Sequence, residues 1–95
     1  MQDLQIQLDA LMELRSFLIQ YNEEMRAKSV EFNSKFWSIR ESGLPSQFAD
    51  NFEANYADPT LQNLRNMIAG ITDRDIPYVN SLIAQFEQAL AIARM

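Results

Sequence analysis

Apolar residues recur every seven positions along the first part of this chain. A seven-residue apolar repeat is typical of a long α-helix that turns one seam toward a partner. Neither Pro nor Gly interrupts the repeat before Gly43. The sequence therefore predicts one helix over residues 2–42, about 60 Å long at ~1.5 Å per residue. The repeat consists of Leu4, Leu11, Leu18, Met25, Phe32 and Ile39.

Further apolar side chains flank this seam and widen it into a face that can meet two neighbours. A rod of about 60 Å does not fit a compact fold, because a compact chain of this length has a radius of gyration of only about 13 Å. We therefore expect an elongated molecule that cannot cover both flanks by itself and associates with another chain. The flanking residues are Leu8, Leu14, Phe17, Tyr21 and Phe36.

The strongest break in the first half is the turn over residues 42–46. Gly43 is placed to end the first helix in a left-handed conformation. Pro45 follows where the helix cannot continue. Because this connection is short, the second arm is expected to return antiparallel to the first.

Aromatic residues gather on both sides of this turn. Phe48, Phe52 and Tyr56 follow one another at intervals of four, which places them on one helical face. We interpret the group as a small core that clamps the tip of the hairpin, since large aromatics dominate the burial of small cores. A docking patch for a partner is the alternative. The group comprises Phe32, Phe36, Trp37, Phe48, Phe52 and Tyr56.

The second arm is predicted to be helical in three segments, over residues 46–57, 59–72 and 76–94. Pro59 and Pro77 each stand where a first helical turn tolerates proline, with Asp58 and either Asp73 or Asp75 as the capping residue. The apolar pattern slips by one residue between Ile71 and Ile76. Together with the two prolines, this slip leads us to expect a kink or a short break near Asp58 and near Asp75. The last segment repeats regularly through Ile76, Val79, Ile83, Phe86, Leu90 and Ala93.

The composition argues against most catalytic chemistry. The chain has no His and no Cys, which removes the usual general base, the usual nucleophile pairs and the usual zinc ligands. Its two glycines form no phosphate-binding loop, and its carboxylates form no calcium-loop motif. We therefore expect no enzyme activity, no catalytic residue, no cofactor and no metal.

Charge and hydropathy limit the partners. A net charge of −5 argues against nucleic acid and against an anionic membrane surface. No apolar stretch approaches the length that spans a bilayer, so no membrane insertion is expected. The start, Met1-Gln2-Asp3, lacks the features of a signal peptide. We expect a cytoplasmic protein, and export by a route without a cleaved signal stays open.

Trp37, near the end of the first helix, and Gly43, in the turn, give this chain a resemblance to the WXG100 (ESAT-6-like) proteins of type VII secretion. Those proteins are helical hairpins of about this length that dimerise into four-helix bundles. The outline is also similar to that of the small helical partners of secreted LXG toxins. The resemblance implies a secretion-associated factor or adaptor, with a larger secreted protein as a further partner.

The sequence thus predicts an all-α, elongated antiparallel helical hairpin with a kinked or segmented second arm, a single domain over residues 1–95 that pairs into a helical bundle. Its expected partner is itself or a similar helical chain, as a homodimer or a heterodimer. The predicted interaction seam is Leu11, Leu18, Met25, Val79, Ile83 and Phe86, and the predicted hairpin tip is Phe32, Phe36, Trp37, Gly43, Phe48 and Phe52.

A second hypothesis is a compact monomeric four-helix bundle in which the first helix breaks near Asn33. Such a protein would act as an immunity or inhibitor protein whose acidic surface blunts a basic toxin or nuclease. The candidate residues for that surface are Glu23, Glu24, Asp73 and Asp75.

Overall fold

The computed structural model describes residues 2–95, and every regular element in that range is helical. One long helix forms the first arm, and a segmented helix forms the second. The predicted all-α hairpin with a segmented second arm is confirmed. The elements are α1 (Gln2–Glu41), α2 (Ser46–Phe52), a first π-turn (Glu53–Ala57), α3 (Asp58–Gly70), a second π-turn (Ile71–Asp75) and α4 (Ile76–Ala93).

Helix α1 runs without a break from Gln2 to Glu41. The predicted bounds of 2–42 differ by one residue, a difference within the usual variation at helix ends. The hypothesis of a break near Asn33 is wrong, because the weak helix propensity of Asn and Ser costs only tenths of a kcal/mol. A neighbouring arm that packs along the helix readily offsets so small a cost.

The turn that ends α1 uses glycine as predicted. The Ser42 backbone N–H donates to the carbonyls of Ser38 and Ile39 at 3.1 Å each. Gly43 follows with φ +131°, a conformation that side chains disfavour. Pro45 then has φ −55° and ψ 131°, and α2 begins at the next residue. The chain reverses within these few residues.

Each π-turn of the second arm ends two residues before a proline. A proline in a helix lacks an N–H and presses its ring against the carbonyl four residues back. A π-turn bonds five residues back: the N–H of Asp58 donates to Glu53, and the N–H of Ile76 donates to Ile71. The wider turn gives the displaced carbonyls room, and the helix continues through Pro59 and Pro77.

The two π-turns correct the prediction of capped breaks. Asp58 and Asp75 both have helical backbone angles, and Asp75 makes no capping hydrogen bond. No cap is needed, because the helical backbone continues through both residues from a π-turn into the next α-helix. The predicted positions were right, since one extra residue per turn is what the five-residue step from Ile71 to Ile76 requires. In a regular α-helix a step of five would rotate Ile76 about 140° away from the stripe.

The helices group into two compact units. The terminal unit contains the described residues through Asn22 together with Ala69–Met95, and the central unit contains Glu23–Ile68. In the terminal unit α1 and α4 run antiparallel: Arg15 donates to Asn80 at 3.1 Å, and Arg94 donates to Gln5 at 3.3 Å. The buried core between them is Leu8, Val79, Ile83 and Leu90, surrounded by Leu4, Leu11, Met12, Leu18 and Phe86.

A buried asparagine contacts an exposed threonine at one end of the terminal unit. The Asn22 side chain is 4% exposed, and its amide donates to the Thr72 hydroxyl at 2.7 Å. Thr72 lies in the second π-turn. A partly buried polar contact of this kind favours one register of two packed helices, because any shift leaves a polar group without its partner.

The central unit closes on smaller side chains. Ala49 and Ala57 of the second arm are almost fully buried, as are Met25 and Leu61. Beside them Arg40 of α1 donates to Glu53 at 2.8 Å and also to Asp50. The two arms of this unit are thus held by two alanines, by Met25 and Leu61, and by ion pairs.

Candidate interaction surface

The predicted interaction seam lies inside the hairpin. Met25, Val79 and Ile83 are buried, and Leu11, Leu18 and Phe86 are half-buried. Five of these six residues belong to the apolar interior that joins α1 to α4. The heptad seam of α1 therefore packs against the antiparallel second arm of the same chain. Little of these side chains is left for another chain.

The flanking residues of α1 divide into two groups. Leu8 is buried in the terminal unit and Phe36 is half-buried in the central unit. Leu14, Phe17 and Tyr21 are 43%, 58% and 40% exposed. We call these three residues the apolar strip. They follow one another at intervals of three and four, so they form one continuous line on the helix surface.

The apolar strip is an ordered patch of surface. The rings of Phe17 and Tyr21 stack, with centroids 5.8 Å apart and planes inclined by 27°. At 100° per residue the strip and Gln5 lie on opposite flanks of the interior stripe of α1, and Gln5 accepts a hydrogen bond from Arg94 of the second arm. Tyr78, 65% exposed, adds apolar surface on α4. The strip flank of the terminal unit is thus apolar and open, while the opposite flank carries the bonded Gln5 as well as the exposed Ile19.

Leu14, Phe17 and Tyr21 were all predicted as flanking residues, without a distinction between those that become buried and those that stay exposed. The spacing could have made that distinction. The interior positions of α1 follow one another at intervals of four and three, and each strip residue comes one position before an interior residue. Burial along α1 follows Leu4, Leu8, Leu11, Arg15, Leu18, Asn22 and Met25.

The hairpin tip is an open aromatic cluster, which corrects the prediction of a small closed core. Phe36 stacks on Phe52 at 5.6 Å, and Phe52 contacts Phe48 and Tyr56 at 6.1 and 5.5 Å. Phe48 and Tyr56 nevertheless remain 57% and 64% exposed. The physical reason is that the second arm turns Ala49 and Ala57 inward, and two methyl groups leave the rings outside.

Arg40 stands at the centre of the tip. Its guanidinium bonds to Asp50 and Glu53 and lies 5.1 Å from the centroid of the Trp37 ring. Trp37 itself is 44% exposed. The predicted tip residues Trp37, Phe48 and Phe52 thus lie around an ion-pair cluster. Gly43 makes the turn, and Phe32 lies earlier in α1, where it lines a groove.

A groove of about 530 Å³ runs along the central unit. Its floor is apolar, formed by Phe32, Phe36 and Ile39 of α1, Phe52 of α2 and Leu64 of α3. Lys28, Glu31 and Lys35 stand along its edge. Lys28 and Glu31 approach to 3.7 Å, and both side chains are highly exposed.

The acidic candidates of the second hypothesis are Glu23, Glu24, Asp73 and Asp75. Glu23, Glu24 and Asp73 are exposed, and Asp75 accepts a 2.9 Å hydrogen bond from Arg74. That hydrogen bond raises the pKa of the Arg74 guanidinium. Across residues 2–95, no three acidic side chains come together as a metal site would require.

None of the helices between residues 2 and 95 has the length and apolar character needed to cross a bilayer. The chain matches no protein-family model. Comparisons with curated proteins and with solved structures likewise find no match.

Proposed function

We propose that this protein is a non-enzymatic helical interaction module that pairs with itself or with a similar helical chain through the apolar strip. The observation that supports the proposal is the open apolar side of the terminal unit. Its seam is already filled by α4, yet Leu14, Phe17 and Tyr21 continue to face outward beside it. Exposed apolar surface with ordered aromatic rings is typical of protein–protein contacts.

A helical partner fits this strip better than a flat surface or an extended peptide does. Residues at intervals of three and four on one helix present the ridge that packs into the groove of another helix. A second hairpin placed against this side would complete a four-helix arrangement around the strip. A role as a WXG100-like secretion-associated factor or adaptor is consistent with such pairing, and with Trp37 and Gly43 at the end of the first arm.

The test is the molar mass in solution, measured by light scattering over a wide concentration range. We expect the native chain to form a dimer, and the variant Leu14→Ser/Phe17→Ser to dissociate at least about tenfold more readily, because it removes two large apolar side chains from the contact.

Ile19→Ser is the matched control. Ile19 and Leu14 are equally exposed, at 43%, but Ile19 lies on the other side of α1. Equal weakening by both variants, or a native chain that stays monomeric at every concentration, would contradict self-pairing through the strip.

A further inference from the structure

Both lysines of the chain line the groove of the central unit. The protein has a net charge of −5, so this is a local exception to its charge. Lys28 and Lys35 stand two helical turns apart on α1, above the floor formed by Phe32, Phe36 and Ile39. An apolar floor whose α1 edge carries two lysines and one glutamate, a net positive charge, suits an occupant that is apolar on one side and acidic at one margin.

The dimensions of the groove suit a helix. The residues that line it on α1 extend from Lys28 to Ile39, which corresponds to about 17 Å or three helical turns at ~1.5 Å per residue. Three turns on an amphipathic helix carry the anchors at intervals of three, four and seven that bind in apolar grooves. The second wall, formed by Phe52 and Leu64, comes from the returning arm.

The apolar strip matches this description. Leu14, Phe17 and Tyr21 span two turns, with Glu13 beside Leu14 and Glu24 one turn beyond Tyr21. Leu14, Tyr21, Lys28 and Lys35 also follow one another every seven residues. The first two positions of this second heptad line are apolar, and the last two are cationic.

We infer that the groove of one copy receives the apolar strip of a second copy, with Lys28 and Lys35 facing Glu13 and Glu24 of that copy. This inference rests on the proposed self-pairing and names the surface that the strip contacts. Each copy carries both surfaces, so two copies can make the contact twice. A pair related by a twofold axis then covers both faces and leaves neither to recruit a third chain.

The existing pair of Lys28 and Glu31 does not oppose this contact. An exposed ion pair contributes little to stability, so Lys28 can exchange one carboxylate for another at small cost. The lysines would add direction to a contact whose affinity comes from the apolar surfaces, since edge charges act mainly on specificity and on the rate of association.

The test uses two charge-reversed variants of the full chain. The groove variant is Lys28→Glu/Lys35→Glu, and the strip variant is Glu13→Lys/Glu24→Lys. Each alone places like charges at the contact, and we expect its dimer to dissociate about tenfold more readily than the native dimer. An equimolar mixture places opposite charges at both contacts, and we expect it to regain a dimer close to native affinity.

Light scattering of the two variants and of their mixture reads out this result, with Lys28→Arg/Lys35→Arg as the control that keeps the charge. Native-like dimers of both variants would overturn the inference while leaving the proposed self-pairing intact. Weakened variants that fail to recover on mixing would also overturn it, as would native oligomers that grow beyond the dimer. A monomeric native chain would instead remove the proposed self-pairing itself.

Discussion

The terminal and central units share one heptad repeat and bury it differently. In the terminal unit the repeat faces Val79, Ile83 and Leu90, and aliphatic side chains from both arms form a closed interior. In the central unit Met25 of the same repeat is buried, but Phe32 and Ile39 remain more than one-third exposed. The repeat determines that a helix forms, and the residues of the opposite arm determine how much of the stripe becomes core.

The second arm explains the difference through the size of its inward side chains. Helix α4 turns three large aliphatic residues toward α1, whereas α2 and the first π-turn bury Ala49 and Ala57. Small residues remove little apolar surface from water, and stabilisation scales with that surface. The central unit compensates with the ion pairs of Arg40 and is left with an open groove.

A change in helix register is expected to alter the free energy of unfolding the most. Deleting Asp73 together with Pro77→Ala shortens the step from Ile71 to Ile76 from five residues to four. A regular α-helix can then replace the second π-turn, and the apolar stripe stays aligned. Deleting Gln85 with the same Pro77→Ala rotates Phe86 and Leu90 by about 100° out of the interior. We expect the second deletion to be about 4 kcal/mol less stable than the first.

Chemical denaturation followed by circular dichroism measures this difference. Both deletions remove one exposed residue and carry the same Pro77→Ala substitution, so the two variants have the same length. Equal stabilities would show that the π-turn does not align the apolar stripe.

The second-largest expected effect is the loss of stability when a large apolar side chain is shortened in each unit. Ile83 is 3% exposed within the terminal unit, and Ile83→Ala is expected to lower the free energy of unfolding by about 3 kcal/mol. Leu64→Ala in the half-open groove of the central unit removes a residue of the same volume and should cost about 1 kcal/mol. The comparison is made by urea unfolding of the two variants. A larger loss for Leu64→Ala would reverse the ranking of the two units.

The smallest of the three effects concerns the ion pairs at the hairpin tip. Arg40→Ala removes the bonds to Asp50 and Glu53 and the contact with Trp37, and about 1–2 kcal/mol of stability should be lost because these groups are only partly buried. Arg65→Ala on the exposed face of α3 is the control and should change little.

Salt separates this effect from an apolar one. In 1 M salt the Debye length falls to about 3 Å, so the difference between the native chain and Arg40→Ala should shrink. The deficit of Ile83→Ala should persist under the same conditions. A deficit for Arg40→Ala that is insensitive to salt would mean that the packing of its side chain matters more than its charge.

Much of the fold could be predicted from the sequence because it depends on local rules. The heptad repeat, Gly43 and Pro45 determined α1 and the turn, and the apolar slip after Ile71 located the second π-turn. The π geometry itself was not predicted, since a slip of one residue is equally consistent with a capped break. Only the unbroken helical backbone at Asp58 and Asp75 distinguishes these two solutions.

The candidate surface was harder to predict because burial depends on both arms. The sequence shows that Leu14, Phe17 and Tyr21 lie beside the seam, but the width of the stripe that α4 covers follows from the packing of the two helices. The tip illustrates the same limit. The positions of Phe48 and Tyr56 on one face were predicted correctly, while their exposure reflects the buried alanine that directly follows each of them, which the aromatic spacing does not reveal.

The central claim is that the apolar strip is covered when the chain pairs. The native sequence has no cysteine, so single thiols can be placed at Phe17→Cys and, as a control, at Ile19→Cys. Because Phe17→Cys itself shortens a contact side chain, the rate of thiol labelling is measured for each variant as protein concentration rises through that variant's own range of association. The account predicts that labelling at position 17 slows by about tenfold or more while labelling at position 19 stays constant. Equal rates at both positions across a range in which the molar mass doubles would contradict it.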